Sequence, residues 1–190
     1  MALLIPSRRP RGIRARVLGL VLALACASWA RAETAAEYQI KAVFLFNFTQ
    51  FVTWPAGAFA KPDAPLVIGI VGDDPFGAAL DAAVEGGTSG THPLRVRRFK
   101  GGEPMTDCQV LFISRSKSSA LTRILESVRG QPVLTVGDMD DFANRGGMVR
   151  LLTVNNKIRL RINLGAARTA GLEISSKLLR PAEIVNDGSH

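Results

Sequence analysis

Between Ala35 and Pro55 the chain reads AAEYQIKAVFLFNFTQFVTWP, and apolar positions Ile40, Val43, Phe44, Phe48, Phe51 and Val52 recur at three- and four-residue steps. That spacing predicts an amphipathic helix. Phe44, Phe46 and Phe48 also alternate at period two, a strand signal, so pattern alone leaves both states open. About fifteen residues free of Gly and Pro suit a helix better than a strand. Pro55 is expected to stop it, because proline disfavours the helical conformation in the residue before it. Such a helix is apolar around most of its circumference and calls for burial or a partner.

Further along, Leu66–Val71 (LVIGIV), Cys108–Ser114 (CQVLFIS) and Pro132–Val136 (PVLTV) are continuous apolar runs, as in strands buried on both faces. Leu94–Phe99 alternates and reads as a strand with one solvated face. Asp74-Pro75 starts a short helix over Phe76–Val84, Leu121, Ile124, Leu125 and Val128 place a helix in Ser116–Arg129, and Gly130 stops it. After a single helical turn that opens at Gly137–Asp141 and ends at Gly146-Gly147 comes a hairpin, Met148–Val154 and Lys157–Ile162, joined at Asn155-Asn156. Asn163 caps a final helical region, Leu164–Leu179, interrupted near Gly171. The order predicts an α/β fold: a single-domain layered sandwich with a mixed central sheet flanked by helices, the first and last helices on one face.

Charge changes the picture at the N-terminus. Five arginines between Arg8 and Arg16 precede the apolar run Val17–Ala27, followed by Ala30-Arg31-Ala32, the layout of a cleaved secretory signal peptide. The apolar run falls short of the roughly 20 residues a spanning helix needs. General export fits better than a twin-arginine signal, given Pro10 and Arg11, and Ala23-Leu24 before Cys26 do not make a lipobox. Cleavage after Ala32 lowers Lys+Arg from 24 to 18 against 16 acidic residues, so the formal charge of +8 reflects export rather than nucleic-acid binding. The expected organisation is a signal peptide over 1–32, an α/β domain over 33–184, and a disordered tail over 185–190.

The exported part holds one cysteine, Cys108, read as a small buried apolar residue, and two histidines, His92 and His190. No G-x-S-x-G elbow accompanies them, so no catalytic set, cofactor or metal site is expected. The run Asp138–Asp141 lacks the glycine and twelfth-position acid of a calcium loop and reads as helix capping. In open α/β sheets ligands sit beyond the carboxyl ends of parallel strands. That rim would hold Asp73, Asp74, Ser114, Arg115 and Asp138, either as a small-ligand site or as ordinary loop and capping residues. Arg95, Arg97 and Arg98, with Arg159 and Arg161, could form one basic sheet face, read as solvated.

Three stretches together resemble the YfiR family of periplasmic proteins: FTQFVTWP at the end of the first helix, CQVLFIS, and the segment from VLTVGD through FANRGGMV to IRLRINLGAARTAGLEISSKLL. The resemblance spans about Ala36–Ala182. It implies a non-enzymatic periplasmic α/β protein, often dimeric, that represses an inner-membrane diguanylate cyclase by binding its periplasmic sensor domain, so that its loss raises cyclic-di-GMP and biofilm. Under that reading Phe44, Phe48, Phe51, Trp54 and Glu173 are the partner-binding residues. Better-known members carry cysteine pairs, whereas here Cys108 stands alone, so control through an internal disulfide is not implied. The alternative is a periplasmic small-ligand receptor feeding another signalling protein.

Overall fold

A computed structural model describes residues 34–100 and 103–185. The signal peptide expected over 1–32 and positions 186–190 of the expected tail lie outside the described residues. The described residues from Glu37 onward form one compact unit.

Residues 34–51 are helical (α1). Its buried positions, Lys41, Ala42, Phe48 and Thr49, lie three or four residues to either side of buried Leu45, so the periodicity that predicted the helix also selects its inner face. The helix ends at Phe51, four residues before Pro55. Val52–Thr53 form a short strand, β1, because they pair antiparallel with Ile174 and Glu173. That long-range pairing, absent from any local signal, ends the helix earlier than proline would.

The central sheet is built from β2 (Leu66–Val71), β3 (Thr88–Ser89), β4 (His92–Phe99), β5 (Val110–Ile113), β6 (Leu134–Gly137), β7 (Val149–Val154), β8 (Lys157–Asn163) and β10 (Glu183–Val185). Across the sheet their order is β10-β8-β7-β6-β5-β2-β4-β3. Strands β4, β2, β5, β6 and β7 run parallel; β8 and β10 run the other way, and β3 pairs antiparallel with β4. The sheet is mixed, as the sequence predicts. Val185, expected to open the tail, instead closes edge strand β10 opposite Asn163. Asn155 and Asn156, at φ 51° and 57°, make the β7–β8 turn, a conformation asparagine tolerates better than most residues.

Both faces of the sheet are covered, which is why the inner strands read as unbroken apolar runs. On one face Leu66, Ile68, Ile70, Val110, Phe112, Leu134 and Val136 pack with Ala42, Leu45 and Phe48 of α1. Helices α2 (Ala78–Val84), α4 (Leu164–Thr169) and α5 (Ser176–Leu179) join this core through Leu80, Val84, Ala167 and Leu178. The other face packs Val71, Leu111 and Ile113 against Leu121, Ile124 and Val128 of and beside α3 (Leu121–Ser127), with Phe142. Each fully buried large apolar side chain, such as Phe48 or Phe112, contributes on the order of 1.5–3 kcal/mol.

Local signals place several ends correctly. The Asp74 carboxylate accepts from the Phe76 and Gly77 amides ahead of α2, and Asn163 Oδ1 accepts from the Ala166 amide at 2.9 Å, capping α4. Two expectations change. The final helical region divides into α4 and α5 around β9 (Glu173–Ile174), the partner of β1. The basic face does not form, since Arg95, Arg97 and Arg98 on β4 and Arg159 and Arg161 on β8 lie with β2, β5, β6 and β7 between them. Arg98 instead pairs with Asp74 and Asp81, both at 2.7 Å, which raises the pKa of its guanidinium further.

Candidate functional site

The carboxyl ends of β2, β5 and β6 bring the predicted rim onto one edge of the sheet, and there most of its groups are engaged by the protein itself. Asp138, just past β6, is 1% exposed. Its Oδ2 accepts from Lys41 Nζ at 2.6 Å and from the Tyr38 hydroxyl at 2.7 Å, both from α1. Arg115, just past β5, donates to the Asp138 carbonyl. Its Nε stands 3.3 Å from Oδ1, within ion-pair range but without hydrogen-bond geometry. Lys41 also pairs with Glu37 at 2.6 Å, one helical turn back, and Glu37 accepts from Thr153 on β7 at 2.8 Å.

The electrostatics follow from this packing. Burial, then the hydrogen bond to Asp138, pushes the Tyr38 phenol well above its ordinary range. Burial alone would raise the Glu37 carboxyl, but the hydrogen bonds from Lys41 and Thr153 outweigh it and hold the group below 4.5. Chemically, the cluster is a clamp that fixes α1 to the sheet edge. Asp74 is taken up by the α2 cap and Arg98, the Asp73 amide donates to Ser116 Oγ at 2.8 Å, and Ser114 is buried.

Lys41, Tyr38 and Glu37 were not picked out from the sequence. The available signal was a charge in the wrong place: Lys41 falls on the stripe shared by Leu45, Phe48 and Val52, where a lysine needs a partner.

The expected partner residues separate by exposure. Phe48 has no exposed surface and offers no atoms to a partner. Phe44, Phe51 and Trp54 are half-buried; Trp54 Nε1 donates to the Gln109 carbonyl at 3.2 Å, and Lys177 lies over the Phe51 ring. Glu173 is exposed. The outward stripe of α1 carries Ile40 and Val43, 48% and 50% exposed, which sequence reasoning had counted among the helix-forming apolar positions.

The candidates for reactivity are occupied structurally. His92 stacks on Phe59 with ring centroids 3.7 Å apart and donates through Nδ1 to the Ala64 carbonyl. Cys108 is 1% exposed, and burial pushes its thiol up to about 12, so it packs as a small apolar side chain. Among the described residues no three His, Cys, Asp or Glu side chains gather where they could hold a metal ion, and no helix is long and apolar enough to cross a membrane.

Residues 38–183 match the family model described as YfiR/HmsC-like. The match covers nearly all of the folded unit, including α1 from Tyr38 onward, Lys41 and Asp138 of the clamp, and the β7–β8 hairpin.

Proposed function

Since the chain belongs to the YfiR/HmsC-like family, whose members are periplasmic regulators in cyclic-di-GMP signalling, we propose that it acts by docking on the periplasmic sensor domain of an inner-membrane diguanylate cyclase and holding that enzyme inactive. Cyclic-di-GMP and biofilm then fall. The N-terminal signal peptide carries the chain to the periplasm, and its role there is binding, without catalysis.

The observation that carries this reading is the outer stripe of α1. Ile40 and Val43 are one helical turn apart and half exposed, and large apolar side chains grouped on a surface mark interaction sites. Phe44 and Phe51, both half-buried, follow along the helix, and half-buried Trp54 and exposed Glu173 lie past its end. An amphipathic helix that presents anchors at three- and four-residue steps suits a hydrophobic groove on a partner. The clamp at Lys41 and Asp138 holds the helix rigid from behind, which lowers the ordering cost of docking.

The test is a gene deletion complemented with wild-type protein or with Ile40→Asp/Val43→Asp. Cellular cyclic-di-GMP, measured by mass spectrometry, should rise on deletion and return with wild type. It should stay high with the double variant, although that variant is exported and folded. Unchanged cyclic-di-GMP on deletion overturns the repressor reading; full complementation by the variant overturns the α1 face. Homodimerisation, which the family implies, is read separately by light scattering on the purified protein.

A further inference from the structure

The chain leaves β2 towards the face bearing α2 and leaves β5 towards the face bearing α3. In open α/β sheets such a reversal opens a crevice at the strand ends. Here the protein closes it. The turn 115–120 presses onto Gly72, whose φ is +95° and where a Cβ would stand 2.6 Å from Ser116 Oγ and 2.9 Å from Lys117 Cγ. Ser116 then accepts from the Asp73 amide and donates to Ser114 Oγ.

The open space lies one strand further along, above the ends of β2 and β4 and beside α3. It is a cavity of about 730 Å³, within the range of about 300–1,000 Å³ usual for small-molecule sites. Among the described residues α3 is the one α-helix on this face, against four on the other, which leaves β4 room to border a cavity. Val71, Phe99, Met105, Ala120 and Ile124 give it an apolar lining.

Its lining carries four cations, Arg98, Lys100, Lys117 and Arg123, against two acids, Asp73 and Glu103. Arg98 is shared by Asp74 and Asp81, and Arg97 by Glu103 at 2.8 Å and Asp107 at 3.3 Å, so these two cations are already engaged. Lys100, Lys117 and Arg123 remain, and none makes an ion pair among the described residues; Asp73 is the remaining acid. Lys100 just past β4, Lys117 in the turn 115–120 and Arg123 on α3 border the same apolar lining, a pairing that fits a ligand with an apolar body and an acidic head.

We infer that this cavity binds a small amphiphilic anion, an aryl or alkyl carboxylate, sulfonate or phosphate, seated on Phe99 and Ile124 with its head group between Lys117 and Arg123. The site is separate from the α1 stripe and does not rest on the repressor reading.

Fluorescence titration of the purified protein with anilinonaphthalene sulfonate tests it. Wild type should bind the probe saturably, and the neutral counterpart phenylnaphthylamine about tenfold more weakly. Lys117→Glu/Arg123→Glu changes two exposed side chains, so the fold should persist with an unchanged melting temperature. It should weaken the anionic probe by about tenfold or more, the loss expected for charge-assisted contacts. Ile40→Asp/Val43→Asp should bind as wild type does. No saturable binding, equal binding by the Lys117/Arg123 variant, or loss confined to the Ile40/Val43 variant each overturns the proposal. Because the measurement contains no cyclase, its failure leaves the cellular deletion experiment to judge the repressor reading independently.

Discussion

Lys41 Nζ lies 2.6 Å from Asp138 Oδ2, with both side chains sealed from solvent and 97 positions apart in the chain. The contact joins the N-terminal helix to the end of a central strand, and Tyr38 donates to the same carboxylate oxygen. A buried pair of this kind is weak evidence of net stabilisation, but removing one partner leaves the other buried charge with only its more exposed second partner, Arg115 for Asp138 or Glu37 for Lys41. The pair therefore fixes where α1 sits more than it adds to total stability.

Lys41→Met should lower the unfolding free energy in urea by about 3–5 kcal/mol, because the Asp138 carboxylate loses its buried cation. Asp138→Asn should cost a comparable amount. The double substitution should cost less than the sum of the singles, by about 1 kcal/mol or more, as expected for residues in direct contact. Additive effects would show that the two groups do not interact in solution.

Tyr38 is the chain's one tyrosine, so tyrosinate absorbance reports it alone. In urea it should ionise near its ordinary value of 10.0, whereas the folded protein should show no ionisation there. The sign follows from linkage: a folded-state pKa raised above the unfolded value gives stability that is complete below about pH 10 and is lost as pH rises beyond it. Glu37 works in the opposite sense. Its carboxyl is held below 4.5, so its contribution is present above that value and is lost as pH falls through the lowered one. A titration of folded Tyr38 at pH 10 would show the clamp open in solution.

Phe48→Ala should destabilise the fold by about 3–5 kcal/mol, because a fully buried ring leaves a cavity between α1 and the sheet. Ile40→Asp/Val43→Asp should change stability by no more than about 0.5 kcal/mol per site, the usual range for surface positions. Thermal melts of the two variants, set beside their cyclic-di-GMP phenotypes, separate packing from docking. A large loss of stability in the Ile40/Val43 variant would mean that the stripe is covered by the chain itself.

The sequence by itself determined what depends on neighbours within a few residues. Unbroken runs such as LVIGIV placed β2 inside the sheet, Asn155-Asn156 made the hairpin turn, and Asp74 and Asn163 marked the starts of α2 and α4. The three- and four-residue spacing in 35–55, together with the length of that stretch free of Gly and Pro, predicted α1 as a helix, and the motifs carried the family. Tertiary structure alone decided which side of that helix is which. It turned Phe48 inward and left Ile40 and Val43 outside, paired β1 with β9 to end the helix at Phe51, and moved Arg95 and Arg159 towards opposite edges of one sheet. It also gave Lys41 its partner. Periodicity is a short-range property and constrains a helix's shape, whereas the partner of a buried charge 97 residues away depends on strand order, which no local pattern encodes.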